Sequence, residues 1–175
     1  MIAILLADGF EEAEALVPAD LLRRAGIEVK LISVKSSPEV TGGHGIRVLC
    51  DGLLSESDKA DGLLLPGGMA GVQGLSACAR ETVVQAARDG KWIFAICAAP
   101  TLLSSWGLTE GKKVTCYPDL KEKMKGQWLD QKVVTDGRLV TSQAAGTATD
   151  FALTLIALLK GEKAAQQVKS SIYYR

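Results

Sequence analysis

The sequence predicts an α/β fold, a doubly wound and mostly parallel sheet flanked by helices (a flavodoxin-like sandwich) that carries a small β-hairpin. Three observations predict it. Short apolar runs such as IAILLA at 2–7, GLLL at 62–65 and WIFAI at 92–96 lack polar alternation, as strands covered on both faces do. Each run stops at turn residues and a helical pattern follows, the alternation that builds a parallel sheet. The 175 residues fit one domain, 1–175, with no repeat, linker or low-complexity stretch to divide it.

Ile2 to Ala7 is the expected central strand, turned by Asp8-Gly9-Phe10. A helical stretch begins at Glu11-Glu12-Ala13-Glu14 and runs to Arg24, with Gly26 as its stop. Pro18 leaves two alternatives: a kinked helix, or one that starts near Val17 and leaves Glu14 in a loop. Ile27 to Val34 is the second strand, Thr41 to Gly45 a flexible loop, and Val48-Leu49-Cys50 part of a short third strand. After the Leu-rich strand come Pro66-Gly67-Gly68, a polar loop with Gly71 and Gly74, and a helix from Ser76 to Arg88. WIFAI leads through Cys97 into a helix from Ala98 to Trp106, with Pro100 in its first turn. Val114-Thr115-Cys116 is strand-like. Val133 to Thr141 reads as a β-hairpin about Asp136-Gly137. An apolar helix from Thr149 or Asp150 to Leu159 and a short amphipathic helix complete the order.

Twenty basic and twenty acidic residues balance to a net charge of +0, which disfavours a nucleic-acid or anionic-membrane binder working by bulk charge. No apolar run is long enough to span a bilayer, and the N-terminus reads as a first strand rather than a signal peptide. Cysteines 50, 78, 97 and 116 show no paired spacing, which suits free thiols in a reducing cytoplasm. With His44 as the single histidine, no metal site is expected.

Cys97 sits where a buried strand turns into a helix, and Ala95 and Ala99 flank it two positions away. That is the spacing of a nucleophile elbow, with alanine in place of glycine. A thiol there is expected to feel the positive end of the helix and to favour its thiolate. The alternative is a buried cysteine acting as a small hydrophobe. Ligands of open parallel sheets bind beyond the carboxyl ends of the strands, where the glutamate cluster, Gly67-Gly68 and Cys97 all follow a strand. The Gly67, Gly68 and Ala98 amides are candidates for an oxyanion hole, against the plainer role of Pro66-Gly67-Gly68 as a tight turn. Of Glu11, Glu12 and Glu14, one is expected to point inward and two to be solvated, complementing the helix dipole. A carboxyl buried beside Cys97 has its pKa raised and can carry protons. His44 is expected on an exposed loop, and no histidine follows Cys97, so a cysteine–histidine triad within one chain is disfavoured.

Ala7-Asp8-Gly9-Phe10-Glu11-Glu12-Ala13-Glu14, Arg23-Arg24-Ala25-Gly26-Ile27, Leu65-Pro66-Gly67-Gly68 and Ala95-Ile96-Cys97-Ala98-Ala99-Pro100 together resemble the motifs of the ThiJ/PfpI superfamily. The resemblance is to the branch of the parkinsonism-associated deglycase and its bacterial relatives. Thr141-Ser142-Gln143 and Gly146-Thr147 extend it along essentially the whole chain. It implies that Cys97 is a redox-sensitive nucleophile and Glu14 the acid that hydrogen-bonds its sulfur. Gly67, Gly68 and Ala98 would supply amides around a substrate oxygen, and Arg24 matches an arginine lining the region. It further implies a cytoplasmic homodimer, with the pocket near the subunit interface and no cofactor. The implied activity converts small aldehydes and dicarbonyls without glutathione. An alternative is a redox-responsive, chaperone-like stress protein signalled by oxidation of Cys97 to sulfinate. Two positions depart from the pattern: Tyr117 stands where many relatives carry histidine, and Ala144-Ala145 replaces Gly-Pro.

Overall fold

A computed structural model describes residues 1–175. The strands are β1 (Ile2–Leu6), β2 (Val29–Ser33), β3 (Glu39–Thr41), β4 (Arg47–Leu49), β5 (Gly52–Leu53) and β6 (Gly62–Leu65), then β7 (Trp92–Ile96), β8 (Lys113–Val114), β9 (Gln127–Trp128), β10 (Val133–Asp136) and β11 (Leu139–Ser142). The α-helices are α1 (Glu12–Arg24), α2 (Met69–Cys78), α3 (Arg80–Arg88), α4 (Ala99–Ser105), α5 (Ala148–Lys160) and α6 (Glu162–Ser171). Seven strands form one sheet in the order β10-β11-β7-β6-β1-β2-β5, parallel except for the β10–β11 hairpin. No helix is long and apolar enough to cross a membrane.

Side-chain alternation divides the core. Ile2, Ile4 and Leu6 of β1 pack with Leu22, Phe94, Phe151 and Ile156 on the face that α1, α5 and α6 cover. Ala3, Leu5 and Ala7 pack with Leu65, Val72, Val83 and Leu103 on the face that α2, α3 and α4 cover. Both faces of every central strand are therefore dry, which is why these segments read as unbroken apolar runs. From β1 the chain moves outward to β2 and β5, then returns on the other side of β1 as β6, β7 and β11. The strand order thus reverses between β1 and β6, and a ligand crevice is expected at their carboxyl ends.

Two local expectations are corrected, one short strand is placed and one open alternative is settled. The stretch from Met69 to Cys78 is helical rather than a polar loop, and the helical segment breaks at Ala79 into α2 and α3. Its glycines serve packing: a Cβ on Gly71 would lie 2.7 Å from the Phe10 Cα, and one on Gly74 would lie 2.6 Å from the Ala7 Cβ. The Val48 segment does not join the main sheet, because β3 and β4 pair with each other as a separate antiparallel hairpin. The 41–45 loop is the tip of that hairpin and is held in place, as described below. Helix α1 runs unbroken through Pro18, which places Glu14 in its first turn.

Candidate active site

The elbow is formed as its spacing implies. Cys97 has φ 65, one of two non-glycine residues in the chain with a left-handed backbone. That conformation costs roughly 1–2 kcal/mol and persists because its surroundings hold it. The Cys97 N–H donates to the Ser142 carbonyl at 3.0 Å, and its own carbonyl accepts from the Tyr117 N–H at 2.8 Å. Ala95 and Ala99, on either side of the turn, are fully buried.

Glu14 reaches the same place from α1. Its Oε2 accepts the Gly67 N–H at 2.8 Å, which ties the helix to the end of β6. A Cβ placed on Gly67 would lie 2.6 Å from that oxygen, 2.9 Å from the Cys97 Cβ and 3.2 Å from the Ala98 nitrogen. Carboxyl, thiol-bearing carbon and amide therefore converge on one glycine. Gly68 has φ 86 and lies against the Gly9 carbonyl, so a side chain fits at neither position.

Burial dominates the electrostatics. Glu14 is 1% exposed, and desolvation, with a smaller push from Glu11, raises its pKa to about 7. Bonds from Cys97, Gly67 and the Ala145 N–H act against that rise. The half-buried Cys97 thiol is pushed up to about 12 by desolvation first, then by the Glu14 charge and hydrogen bond. The Ala98 N–H opposes this but does not prevail. The expectation of a free thiolate is thus corrected: the helix that follows has only seven residues, and its dipole is outweighed by burial beside a carboxylate.

Two further expectations change. Gly67 is not a free oxyanion donor, since its N–H is committed to Glu14. The Gly68 and Ala98 N–H groups donate to no backbone carbonyl, and the Ala98 N–H is directed at the Cys97 sulfur. Arg24 does not reach the site. It ends α1, about 15 Å along the axis from Glu14 at 1.5 Å per residue, and its Nε donates to Asp20 in the same helix.

Glu12 was the residue missed. It is 6% exposed, so two of the three glutamates are buried rather than one. Its carboxylate accepts the His44 N–H and binds His44 Nδ1, each at 2.8 Å, pinning the hairpin tip to the start of α1. No sequence signal paired these residues, because the contact spans 32 positions. The ligand atoms of Glu11, Glu12 and His44 lie within 4.8 Å of one another, a spacing a metal could use; the Glu12–His44 bond accounts for it without one. Tyr117 is 42% exposed and serves the elbow through its backbone. Cys50 and Cys116 are buried, and their thiols are pushed up to about 11 chiefly by desolvation.

Residues 1–158 match the model of the DJ-1/PfpI family. The chain belongs to that family. It is 37% identical to dj-1beta of Drosophila melanogaster over 97% of this chain and 94% of that one. It is 35% identical to a protein of Pyrococcus abyssi named as a deglycase, over 91% of this chain and 99% of that one. It spans only 41% of the length of DJ-1 homolog B of Arabidopsis thaliana, at 38% identity over 99% of this chain. Among solved structures, a DJ-1 superfamily protein of Salmonella typhimurium superposes with a TM-score of 0.94 at 38% identity, covering 99% of this chain and 98% of that one. This family membership and the α/β sheet agree with the motifs read from the sequence.

Because the folded Glu14 carboxyl binds its proton more tightly than an unfolded one with pKa 4.5, its contribution to stability is complete below that value and is lost as pH rises through about 7. At 1.36 kcal/mol per unit, the loss is at most about 3 kcal/mol. Urea denaturation from about pH 5 to about pH 8 should show wild type losing stability relative to Glu14→Gln by up to that amount. A difference that stays flat with pH would contradict the assignment.

Proposed function

We propose that the protein is a cysteine-dependent enzyme of the glutathione-independent glyoxalase or deglycase type, acting on small reactive dicarbonyls such as methylglyoxal. The observation that carries this is the convergence of the Glu14 carboxyl, Cys97 and the Ala98 amide about Gly67. The similarity to a relative named as a deglycase supports the substrate class.

With its pKa near 12, the Cys97 thiol needs a base at the moment of attack, and the Glu14 carboxylate is placed to be that base. As sulfur bonds to the aldehyde carbon, the thiol proton passes to Glu14 and then to the new alkoxide, giving a hemithioacetal. The Gly68 and Ala98 N–H groups take the oxyanion in the interval. Glu14, again ionised, removes the proton from the hemithioacetal carbon, and the electron pair moves toward the neighbouring carbonyl as an enediol. Return of the proton to the second carbon leaves a thioester. Water cleaves it to lactate and regenerates the thiol. The aldehyde carbon is oxidised and the ketone carbon reduced, so methylglyoxal and water balance lactic acid without an external oxidant or cofactor.

With Glu14 as the base, this mechanism needs no imidazole at position 117, where the chain carries Tyr117. A homodimer with the site near its interface fits the apolar surface on the β3–β4 hairpin, where Ile46 and Leu49 are exposed beside the loop that Glu12 pins. Four free thiols fit a reducing cytoplasm.

Purified protein should convert methylglyoxal to lactate with no added thiol, and Cys97→Ser and Glu14→Gln should each lower turnover by roughly a hundredfold or more. In wild type, kcat/KM should rise with pH through about 7, as Glu14 ionises. Turnover no faster than buffer would overturn the proposal.

One observation favours a second role, redox response. At neutral pH the Glu14 carboxyl is partly protonated and can donate a hydrogen bond to an oxidised sulfur. A relative from Toxoplasma gondii, superposing with a TM-score of 0.94 at 31% identity, is described as oxidized. Two equivalents of peroxide would convert the thiol to sulfinic acid and release two waters. The high thiol pKa makes this the slower chemistry, so the enzyme role ranks first. Mass spectrometry after mild peroxide should find sulfinate at Cys97 ahead of Cys50, Cys78 and Cys116; equal oxidation of all four would exclude a sensor.

A further inference from the structure

A second cleft, of about 410 Å³, opens at the other end of the sheet from Cys97. Its floor is apolar, made by Ile93 and Leu139 near the starts of β7 and β11 and by Leu108 after α4. Its rim is basic. Arg88 comes from the last turn of α3, Lys91 from the turn before β7, Lys112 from the turn before β8, and Arg138 from the β10–β11 turn. Against these four cations the lining holds one carboxylate, Glu110, which lies 3.8 Å from Lys125.

The charges are not spent locally. Of the four, Lys112 alone has a carboxylate within ion-pair distance, Asp136 at 3.8 Å, whereas Arg88, Lys91 and Arg138 have none. Lys91 donates to the Asp58 carbonyl at 2.6 Å. Arg138 is held in place by a 2.7 Å bond from Nη1 to the Gly90 carbonyl and by stacking over Trp92 at 5.7 Å. A guanidinium fixed on one side presents its remaining donors as a preset fork. In a chain whose net charge is +0, this excess of cations around an apolar floor is local and not an average property. The volume lies within the range of small-ligand sites, roughly 300–1,000 Å³.

We infer that this cleft binds a small phosphate monoester with an apolar or aromatic body, its phosphate held between Arg88 and Arg138 and its body on Ile93, Leu108 and Leu139. A dianion matches the surplus of cations better than a carboxylate does, since a phosphate monoester carries about −1.5 to −2 at neutral pH. Bare phosphate would leave the floor uncovered.

Isothermal titration of the full chain with phenyl phosphate, inorganic phosphate and benzoate tests this. Phenyl phosphate should bind once per chain and at least roughly tenfold more tightly than either of the others. Arg88→Gln should weaken it by a similar factor, and Cys97→Ser should leave it unchanged. Arg138→Gln should act in the same direction; the exposed end of Arg88 keeps the test valid if Arg138→Gln fails to fold. Equal affinity for inorganic phosphate or benzoate, no binding, binding indifferent to Arg88, or binding lost in Cys97→Ser would each overturn the inference.

Discussion

The site depends on one buried hydrogen bond, from the Gly67 N–H to the Glu14 carboxylate. It joins the first turn of α1 to the end of β6, the two segments that flank the reversal in strand order. Without it, a carboxyl 1% exposed would lose one of the three hydrogen bonds, beside those from Cys97 and the Ala145 N–H, that offset the desolvation of its charged form. With it, the charge is tolerable but still disfavoured, which is why the carboxyl titrates near neutrality. A group in that state can both take and return a proton at physiological pH.

The neighbours follow from this constraint. Gly67 must lack a side chain because the carboxylate, Cys97 and Ala98 already occupy the space. Cys97 must adopt a strained backbone to bring its sulfur to the same point, and the bonds from Ser142 and Tyr117 maintain it. The sulfur is thereby held as a thiol, its pKa pushed up to about 12 by burial and by the Glu14 carboxylate.

Much of this was legible in the residues. The buried strands announce themselves because both faces are apolar, and the small–x–Cys–x–small spacing at a strand-to-helix junction marks the elbow. Other features are not legible there. Long-range polar pairing, such as Glu12 with His44, leaves no periodic trace and makes an exposed loop look free. The balance of electrostatic effects at Cys97 depends on burial depth, which helix position alone does not report. Gly71 and Gly74 misled for a third reason: glycine is read as a loop former, yet here it lets α2 approach the β1 turn closely within a helix. Arg24 was carried by motif position alone, and α1 takes it to the far end of its own axis.

Coupling between acid and thiol is therefore the central claim, and a carbon-13 NMR titration of the glutamate carboxyls reads it most directly. The Glu14 resonance should titrate near pH 7 in wild type, and its midpoint should move when Cys97 is replaced by serine. A Glu14 midpoint at the ordinary 4.5, indifferent to the residue at position 97, would contradict the account.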